Sequence, residues 1–224
     1  FVQSAELRTS SDKNMIRMFL SLLGQPREIY LPQSAINTIS KAGAAIAPGA
    51  IVKSSSSSTR YLVDGLTNKI KLASSAQAAS VSKSKTFTLS SSELAGLKTR
   101  TGFTSGKVQC DGAVYLLDGG ILYPTSFGAA AEFPGSVYPL STITCAALRL
   151  STDSVGQFIR NRGTTYFIQD GTKRRVSSRD HLASLQGDGP SYIEVTNYFS
   201  DRIPTGKTAP ATVELASLEG IPAG

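Results

Sequence analysis

The sequence predicts an all-β repeat protein with short helical insertions, and it favours a small β-propeller of four or five blades. One element recurs along the chain: a tyrosine, two apolar residues and an Asp-Gly pair. It occupies residues 61–65 and 115–119 and, with one extra residue, 166–171. The tyrosines lie 54 and 51 residues apart, and such periods are typical of propeller blades or stacked repeats. An open array is the alternative architecture.

The composition fits short strands better than long helices. Of the 224 residues, 40% are hydrophobic and only 17% are charged. A chain of long soluble helices carries more Glu and Lys than this. A single domain of this length can bury a self-sufficient core.

Each repeat opens with a β-hairpin. A first short strand is predicted at residues 50–53, 107–110 and 157–160, and the tyrosine strand follows it. The Asp-Gly pair then marks a tight turn, because these residues tolerate positive φ angles. A returning strand is predicted at residues 69–72, 121–123 and 174–176.

A short helix and a closing strand complete the repeat. Hydroxyl residues follow the returning strand, and their oxygens are good N-caps for a helix. Helices are therefore predicted at residues 76–79, 128–133 and 179–185, and closing strands at 86–89, 137–140 and 192–195.

The boundaries define a single repeat domain over residues 1–206. The clear units are 50–106, 107–156 and 157–206, and a degraded unit covers 13–49, with residues 27–31 in place of the tyrosine strand. Residues 1–12 are expected to end a preceding unit. Pairing of this segment with the final unit would close a ring without free edges. Residues 207–224 are a tail or the closing strand.

The two cysteines indicate an extracellular protein. Cys110 and Cys145 are the only ones and fall in the same repeat. We expect them to form a disulfide, which requires an oxidising compartment, although two free buried thiols are the alternative. Since the chain begins at Phe1 rather than Met, we expect any signal peptide to have been cleaved or trimmed. Since it has no apolar stretch of 18 residues, membrane insertion is not expected.

The candidate ligand-binding residues are aromatic and basic. The repeated tyrosines could form sugar-stacking shelves, although tyrosine is also a good strand former. The net charge of +7 favours an anionic partner. The candidates are Tyr61, Tyr115, Tyr166, Arg60, Lys173 and Arg174.

No pattern in the sequence indicates catalysis, a cofactor or a metal. His181 is the only histidine, and no nucleophile motif such as Gly-x-Ser-x-Gly occurs. Asp64, Asp118 and Asp170 are explained by turn geometry, because each precedes a glycine. Phosphate-binding glycine motifs and the basic-aromatic patterns of nucleic-acid binding are also missing. We therefore expect no enzyme, no metal site and no nucleic-acid partner.

The repeat also resembles a known type. The motifs Tyr-Leu-Val-Asp-Gly, Leu-Ser-Ser-Ser-Glu-Leu-Ala-Gly-Leu and Thr-Gly resemble repeats of secreted, cell-wall-associated actinobacterial proteins, over roughly residues 45–206. The resemblance implies an extracellular accessory module. We thus expect a non-enzymatic module that binds an anionic cell-surface or cell-wall glycan. The alternative is a structural subunit of a surface fibre, phage tail or virion, in contact with other protein chains.

Overall fold

The computed structural model describes residues 2–3, 6–7, 13–22, 24, 32–38, 40–41, 45–83, 85–103, 106–125, 128–186 and 192–210. Short strands and short helices make up these residues, and three of the sheets contain four or five strands. The prediction of a mainly β chain with short helices is confirmed. None of the sheets closes on itself within the described part of the chain. The chain divides into two compact units: residues 1–124 with 135–152, and residues 125–134 with 153–224.

The N-terminal segment of the first unit forms a small sheet of its own. Its elements are β1 (Val2–Gln3), β2 (Glu6–Leu7), α1 (Lys13–Leu22), α2 (Gln33–Thr38) and β3 (Ser40–Lys41). Strand β2 pairs with β1 and β3, whereas ring closure through this segment would pair it with the final repeat. Local pairing closes a much shorter loop and so loses less chain entropy. Residues 27–31, expected to replace the tyrosine strand, lie outside the described residues.

The first repeat is a five-stranded sheet with two helices. Its elements are β4 (Ile51–Ser54), β5 (Arg60–Asp64), β6 (Asn68–Lys71), α3 (Ser75–Val81), β7 (Phe87–Leu89), α4 (Ser91–Ala95) and β8 (Lys98–Arg100). Strands β4, β5 and β6 form an antiparallel meander. Strand β7 lies parallel to β4 at one edge, and β8 lies parallel to β6 at the other. The sequence predicted four of these strands and one helix, so α4 and β8 are additions.

The second repeat has the same order of elements. They are β9 (Lys107–Cys110), β10 (Ala113–Asp118), β11 (Ile121–Pro124), α5 (Ala129–Glu132), β12 (Tyr138–Pro139), α6 (Thr142–Ala147) and β13 (Arg149–Leu150). The sheet order β12-β9-β10-β11-β13 matches that of the first repeat strand for strand. Helix α5 is grouped with the second compact unit.

The third repeat, in the second unit, has a four-stranded sheet. Its elements are β14 (Phe158–Asn161), β15 (Thr164–Gln169), β16 (Thr172–Arg175), α7 (Arg179–Gln186), β17 (Ile193–Glu194) and α8 (Asn197–Asp201). The sheet order is β16-β15-β14-β17. A single parallel bridge between Lys173 and Thr205 stands where the other repeats have a fifth strand.

A capping hydroxyl starts the second helix of each repeat. Ser90, Ser141 and Thr196 accept the backbone N–H of the third residue beyond, in α4, α6 and α8 respectively. Ser90 and Glu93 form a full capping box, since the Glu93 carboxylate accepts the Ser90 N–H. This pattern can be read from sequence, and it marks a helix that the repeat alignment missed.

The first sheet buries both faces. Successive strand residues point to opposite faces, so Ile51 and Leu62 join a core shared with β9, β10 and β11. Their neighbours Val52 and Val63 lie in a second core, which α1 completes with the fully buried Met15. The first repeat therefore packs on both sides within its own unit.

The repeated aspartates are not equivalent. Asp64 and Asp118 end their strands and are 1% and 2% exposed, and the glycines after them make the turn. In the third repeat the strand register places Gln169 at this position. Asp170 is one residue further on, exposed and in the turn itself with φ 51°. The interpretation of these aspartates as turn residues is therefore correct for Asp170 alone.

Asp64 joins the first two repeats. One carboxylate oxygen accepts the Ser141 N–H at 2.8 Å, and the other accepts from the Arg100 guanidinium. Next to it, the Gly65 N–H donates to Thr144 Oγ1 at 2.8 Å. The end of strand β5 thus holds the N-terminal turn of helix α6 from the following repeat.

The first helix of a repeat docks on the tight turn of the next. The N–H of Gly120, between β10 and β11, donates to the Ser80 carbonyl of α3 at 3.2 Å. In the second unit, the Gly171 N–H between β15 and β16 donates to the Glu132 carbonyl of α5 at 2.9 Å. The same contact recurs in both units, which makes it a regular feature of the repeat.

The last residue of each repeat's first strand anchors the second helix, each time by different chemistry. A disulfide joins Cys110 of β9 to Cys145 of α6. In the first repeat, Ser54 shares a hydrogen bond of 3.0 Å with Ser91. In the third, the Asn161 amide donates to Asn197 Oδ1 at 3.1 Å.

Candidate functional site

The repeated tyrosines are half-buried, and lysines lie over two of them. The ammonium of Lys69 is 5.5 Å from the Tyr61 ring centre, and that of Lys173 is 5.4 Å from the Tyr166 ring centre. Tyr115 packs against the core shared by the first two repeats. These rings are therefore engaged within the protein, and Tyr61 and Tyr115 pack against different cores of the first unit.

Lys173 supports the end of a helix. It is 8% exposed, and its ammonium donates to the Ser200 carbonyl of α8 at 2.6 Å. Lys69 has the same role in the first repeat, where it donates to the Leu94 carbonyl at 2.6 Å, and burial lowers its pKa. In the second repeat the register places Leu122 at this position. Arg174, which follows Lys173 in the chain, is partly buried. Its Nε is buried and has no hydrogen-bond partner in the described part of the chain.

Arg60, by contrast, lies in a cavity. This cavity of the first repeat has a volume of about 720 Å³, within the range of roughly 300–1,000 Å³ typical of small-molecule sites. Its walls come from the loop before β5, the segment after β6 and the segment after β8. Five of the lining residues carry hydroxyl groups: Ser58, Thr59, Ser74, Ser75 and Thr101.

The charge at this cavity is positive. Arg60 and Lys71 both line it, and no Asp or Glu is among the lining residues that the structure describes. Neither side chain forms an ion pair with any described residue. The register places Arg60 on the same sheet face as Leu72, which also lines the cavity. The exposed Lys71 alternates to the other face. The guanidinium is thus the principal cation of the site.

Gln77 of α3 holds two cavity walls together. Its side-chain oxygen accepts the Ala73 N–H at 2.6 Å, and its amide donates to the Phe103 carbonyl at 2.9 Å. The residue is only 2% exposed, so both bonds are shielded from water. Gln77 fixes the spacing between the segment after β6 and the segment after β8.

In the third repeat, His181 of α7 makes two backbone contacts equivalent to those that Gln77 makes in the first repeat. Its Nδ1 accepts the Ser177 N–H at 3.2 Å, and its Nε2 is 2.7 Å from the Pro210 carbonyl. Because Nδ1 accepts a backbone N–H, the ring proton lies on Nε2, which donates to that carbonyl. His181 therefore has two backbone partners, and the Ser177 hydroxyl lies 2.8 Å from its Nδ1 as well.

Two contributors to the cavity were missed by the sequence argument. Lys71 has no motif of its own, since it is one of many scattered lysines. Gln77 follows the predicted cap Ser74 by three residues, but nothing in the sequence reveals the carbonyl that it reaches. Lys53, the residue of β4 opposite Arg60 of β5, could be identified only from the strand register.

Other kinds of site find no support in the described residues. These residues contain no group of three or more His, Cys, Asp or Glu side chains placed to hold a metal ion. No helix in the same part of the chain is long and apolar enough to cross a membrane. Comparison with protein-family models, curated proteins and solved structures finds no match to this chain. The fold and the cavity define the protein as a mainly β repeat module with a cationic, hydroxyl-lined pocket.

Proposed function

We propose that this protein is a non-enzymatic extracellular module that binds an anionic cell-surface or cell-wall glycan. The single observation that carries the proposal is the pocket of the first repeat. It combines the Arg60 guanidinium with five hydroxyl-bearing residues, and Lys71 also contributes to its lining. Guanidinium groups bind oxyanions through paired, charge-assisted hydrogen bonds. Hydroxyl groups both donate to and accept from the hydroxyls of a sugar.

Two further observations support this assignment. The disulfide between Cys110 and Cys145 fits a secreted protein, since such bonds are rare in the cytosol. The resemblance of the repeat to those of wall-associated actinobacterial proteins points to the same surroundings. The proposal includes neither a nucleic-acid partner nor insertion into a membrane, and it requires no cofactor.

Binding to purified actinobacterial wall polysaccharide tests the proposal. We compare the wild type with Arg60→Ala and with Lys98→Ala, which removes the same charge from an exposed position of β8 outside the pocket. A charge-assisted hydrogen bond contributes about 1.5–3 kcal/mol, so Arg60→Ala should weaken binding by roughly 10- to 100-fold. Equal losses in both variants, or no wild-type binding at physiological salt, would refute the proposal.

The arrangement of the repeats is also part of the proposal. We favour a ring of four or five units, a small propeller, over an open array. Support comes from the matching sheet orders of the first two repeats and from the recurrent contact between a helix and the next tight turn. Small-angle scattering distinguishes a compact ring from an extended array.

A structural subunit of a surface fibre, phage tail or virion is the alternative. It is favoured by the edge strand β13, where Leu150 is 59% exposed, and by Ile143 of α6, which is 44% exposed. Exposed apolar residues at a sheet edge can pair with another chain. Sedimentation at rising protein concentration tests this alternative, and a strict monomer would contradict it.

A further inference from the structure

Two cations face each other across the first strand pair. Lys53 of β4 is directly opposite Arg60 of β5. Opposite residues of an antiparallel pair lie on the same face, with Cβ atoms roughly 4.5–5.5 Å apart. Like charges at such positions repel each other and destabilise the sheet. Both side chains are half-buried, and neither forms an ion pair with a residue that the structure describes.

The corresponding pairs in the other repeats carry no such repulsion. In the second repeat, Gln109 is opposite Val114. In the third, Arg160 is opposite Thr165, and the Glu194 carboxylate lies 3.4 Å from the Arg160 Nε. The uncompensated pair thus occurs in the repeat where Arg60 lines a cavity, and Lys53 stands beside Arg60 on the neighbouring strand, outside the cavity lining.

We infer that a phosphate group binds between Lys53 and Arg60, so that the ligand of the pocket is a phosphorylated glycan. The inference rests on the proposed function and names the anionic group. A phosphate carries up to two negative charges, and its oxygens point in several directions. It can therefore meet two cations and nearby hydroxyls such as Ser58 at once. A carboxylate has one charge and two coplanar oxygens, which a single guanidinium already satisfies.

The first experiment uses inorganic phosphate as the probe. The midpoint of thermal unfolding is measured with phosphate, acetate or chloride at equal ionic strength. Phosphate should raise the midpoint of the wild type and of Lys98→Ala more than the other two anions do. The decisive variant is Lys53→Glu, which replaces the repulsion by an ion pair with Arg60. Because this change favours folding, a lost phosphate response cannot be attributed to a damaged sheet.

Lys53→Glu should bind phosphate at least about tenfold more weakly than the wild type, since a repulsive carboxylate replaces a charge-assisted bond. Equal responses to phosphate and acetate, or an undiminished response in Lys53→Glu, would overturn the inference.

The second experiment separates this inference from the proposed function. Binding is measured to phosphorylated dextran and to carboxymethyl dextran of equal charge density. Preference for the phosphorylated polymer, lost in Lys53→Glu, supports the phosphate site. Equal binding to both polymers overturns the phosphate site but leaves an anionic-glycan module in place. If neither polymer nor the wall polysaccharide binds, the proposed function fails as well.

Discussion

Individual residues with the same place in the repeat motif have different roles. Asp64 is buried and holds the next repeat through Ser141 and Arg100, whereas Asp170 is an exposed turn residue. Sequence spacing groups these two aspartates, because both precede a glycine. Strand register separates them, because in the third repeat Gln169 holds the strand-end position and Asp170 lies one residue further on, in the turn itself.

The pair Asp64→Asn and Asp170→Asn measures this difference. Asp64→Asn removes the charge that accepts from Arg100 and the Ser141 N–H, but Arg100 is partly exposed, so solvent weakens the ion pair. We expect a loss of about 2 kcal/mol in the free energy of unfolding. Asp170→Asn should change it by less than about 0.5 kcal/mol, since Asn tolerates positive φ. Equal effects in urea unfolding would contradict the assigned role of Asp64.

The correspondence between Gln77 and His181 gives a second test. A glutamine makes the same two backbone contacts in the first repeat as the histidine does in the third. His181→Gln should therefore cost less than about 1 kcal/mol, and His181→Ala about 2 kcal/mol, because two backbone groups then lose their partner. Thermal unfolding of the two variants measures both losses of stability. A glutamine variant as unstable as the alanine variant would show that the two positions are not equivalent.

At the scale of elements, the docking of a helix on the next tight turn depends on glycine. A Cβ atom on Gly120 would lie 3.1 Å from the Lys83 nitrogen and 3.2 Å from the Ser82 Cα, which are backbone atoms and cannot move aside. Gly112 has a similar positive φ, of 85°, but nothing within 4 Å of such an atom. An alanine would be strained at either position because of the positive φ, but only at position 120 would its Cβ also meet neighbouring backbone atoms.

Gly120→Ala should therefore be the more damaging of two matched substitutions. Gly112→Ala adds only the strain of a left-handed residue, about 1 kcal/mol. Gly120→Ala adds overpacking as well, for a total of roughly 3 kcal/mol. The free energy of unfolding in urea gives both values. If they agree, the contact between α3 and the turn contributes little to stability.

The buried Lys69 of β6, which donates to the Leu94 carbonyl of α4, makes the free energy of unfolding depend on pH. Burial lowers the pKa of Lys69 below its ordinary value of 10.5, so the folded protein loses this proton before the unfolded chain does. Between the lowered pKa and 10.5 the unfolded state binds more protons, and the free energy of unfolding rises with pH. This contribution is fully present above 10.5 and is lost as pH falls through the lowered pKa.

Comparison with Lys69→Met isolates the contribution of Lys69. Burial also lowers the pKa of Lys107, but this residue is present in both proteins. As the pH approaches 10.5, the wild type should gain stability relative to the variant in urea unfolding. A constant difference between the two proteins across this range would contradict the lowered pKa.

Much of each repeat could be predicted from its turns and apolar pattern. The Asp-Gly pairs predict the hairpin turns, and the N-cap Ser74 predicts the helix after β6. The edge strands β8 and β13 have only three and two residues, too few for a periodic pattern. Arg60 could be named from sequence, but its position opposite Lys53 depends on a strand register that the loop 55–59 does not reveal. Tertiary partners such as the Phe103 carbonyl leave no local signal.

At the scale of the whole molecule, the disulfide is a covalent constraint that ties α6 to β9 within the first unit. It closes a loop of 35 residues in the second repeat, worth roughly 3–4 kcal/mol in the chain-entropy model. The double variant Cys110→Ala/Cys145→Ala should lose about this much in the free energy of unfolding. It should also become more sensitive to proteolysis. Resistance equal to that of the wild type would mean that packing alone fixes α6.

The contact between Asp64 and α6 also limits how freely such repeats can be shuffled during evolution. Loss of the middle repeat would bring α8 to the position of α6, by the alignment of the capping residues Ser141 and Thr196. Phe199 would then stand where Thr144 accepts the Gly65 N–H, and a phenyl ring offers no such acceptor. This junction is therefore specific to its own two neighbours. A recombined chain would have to acquire a compensating substitution at the new boundary before it could fold well.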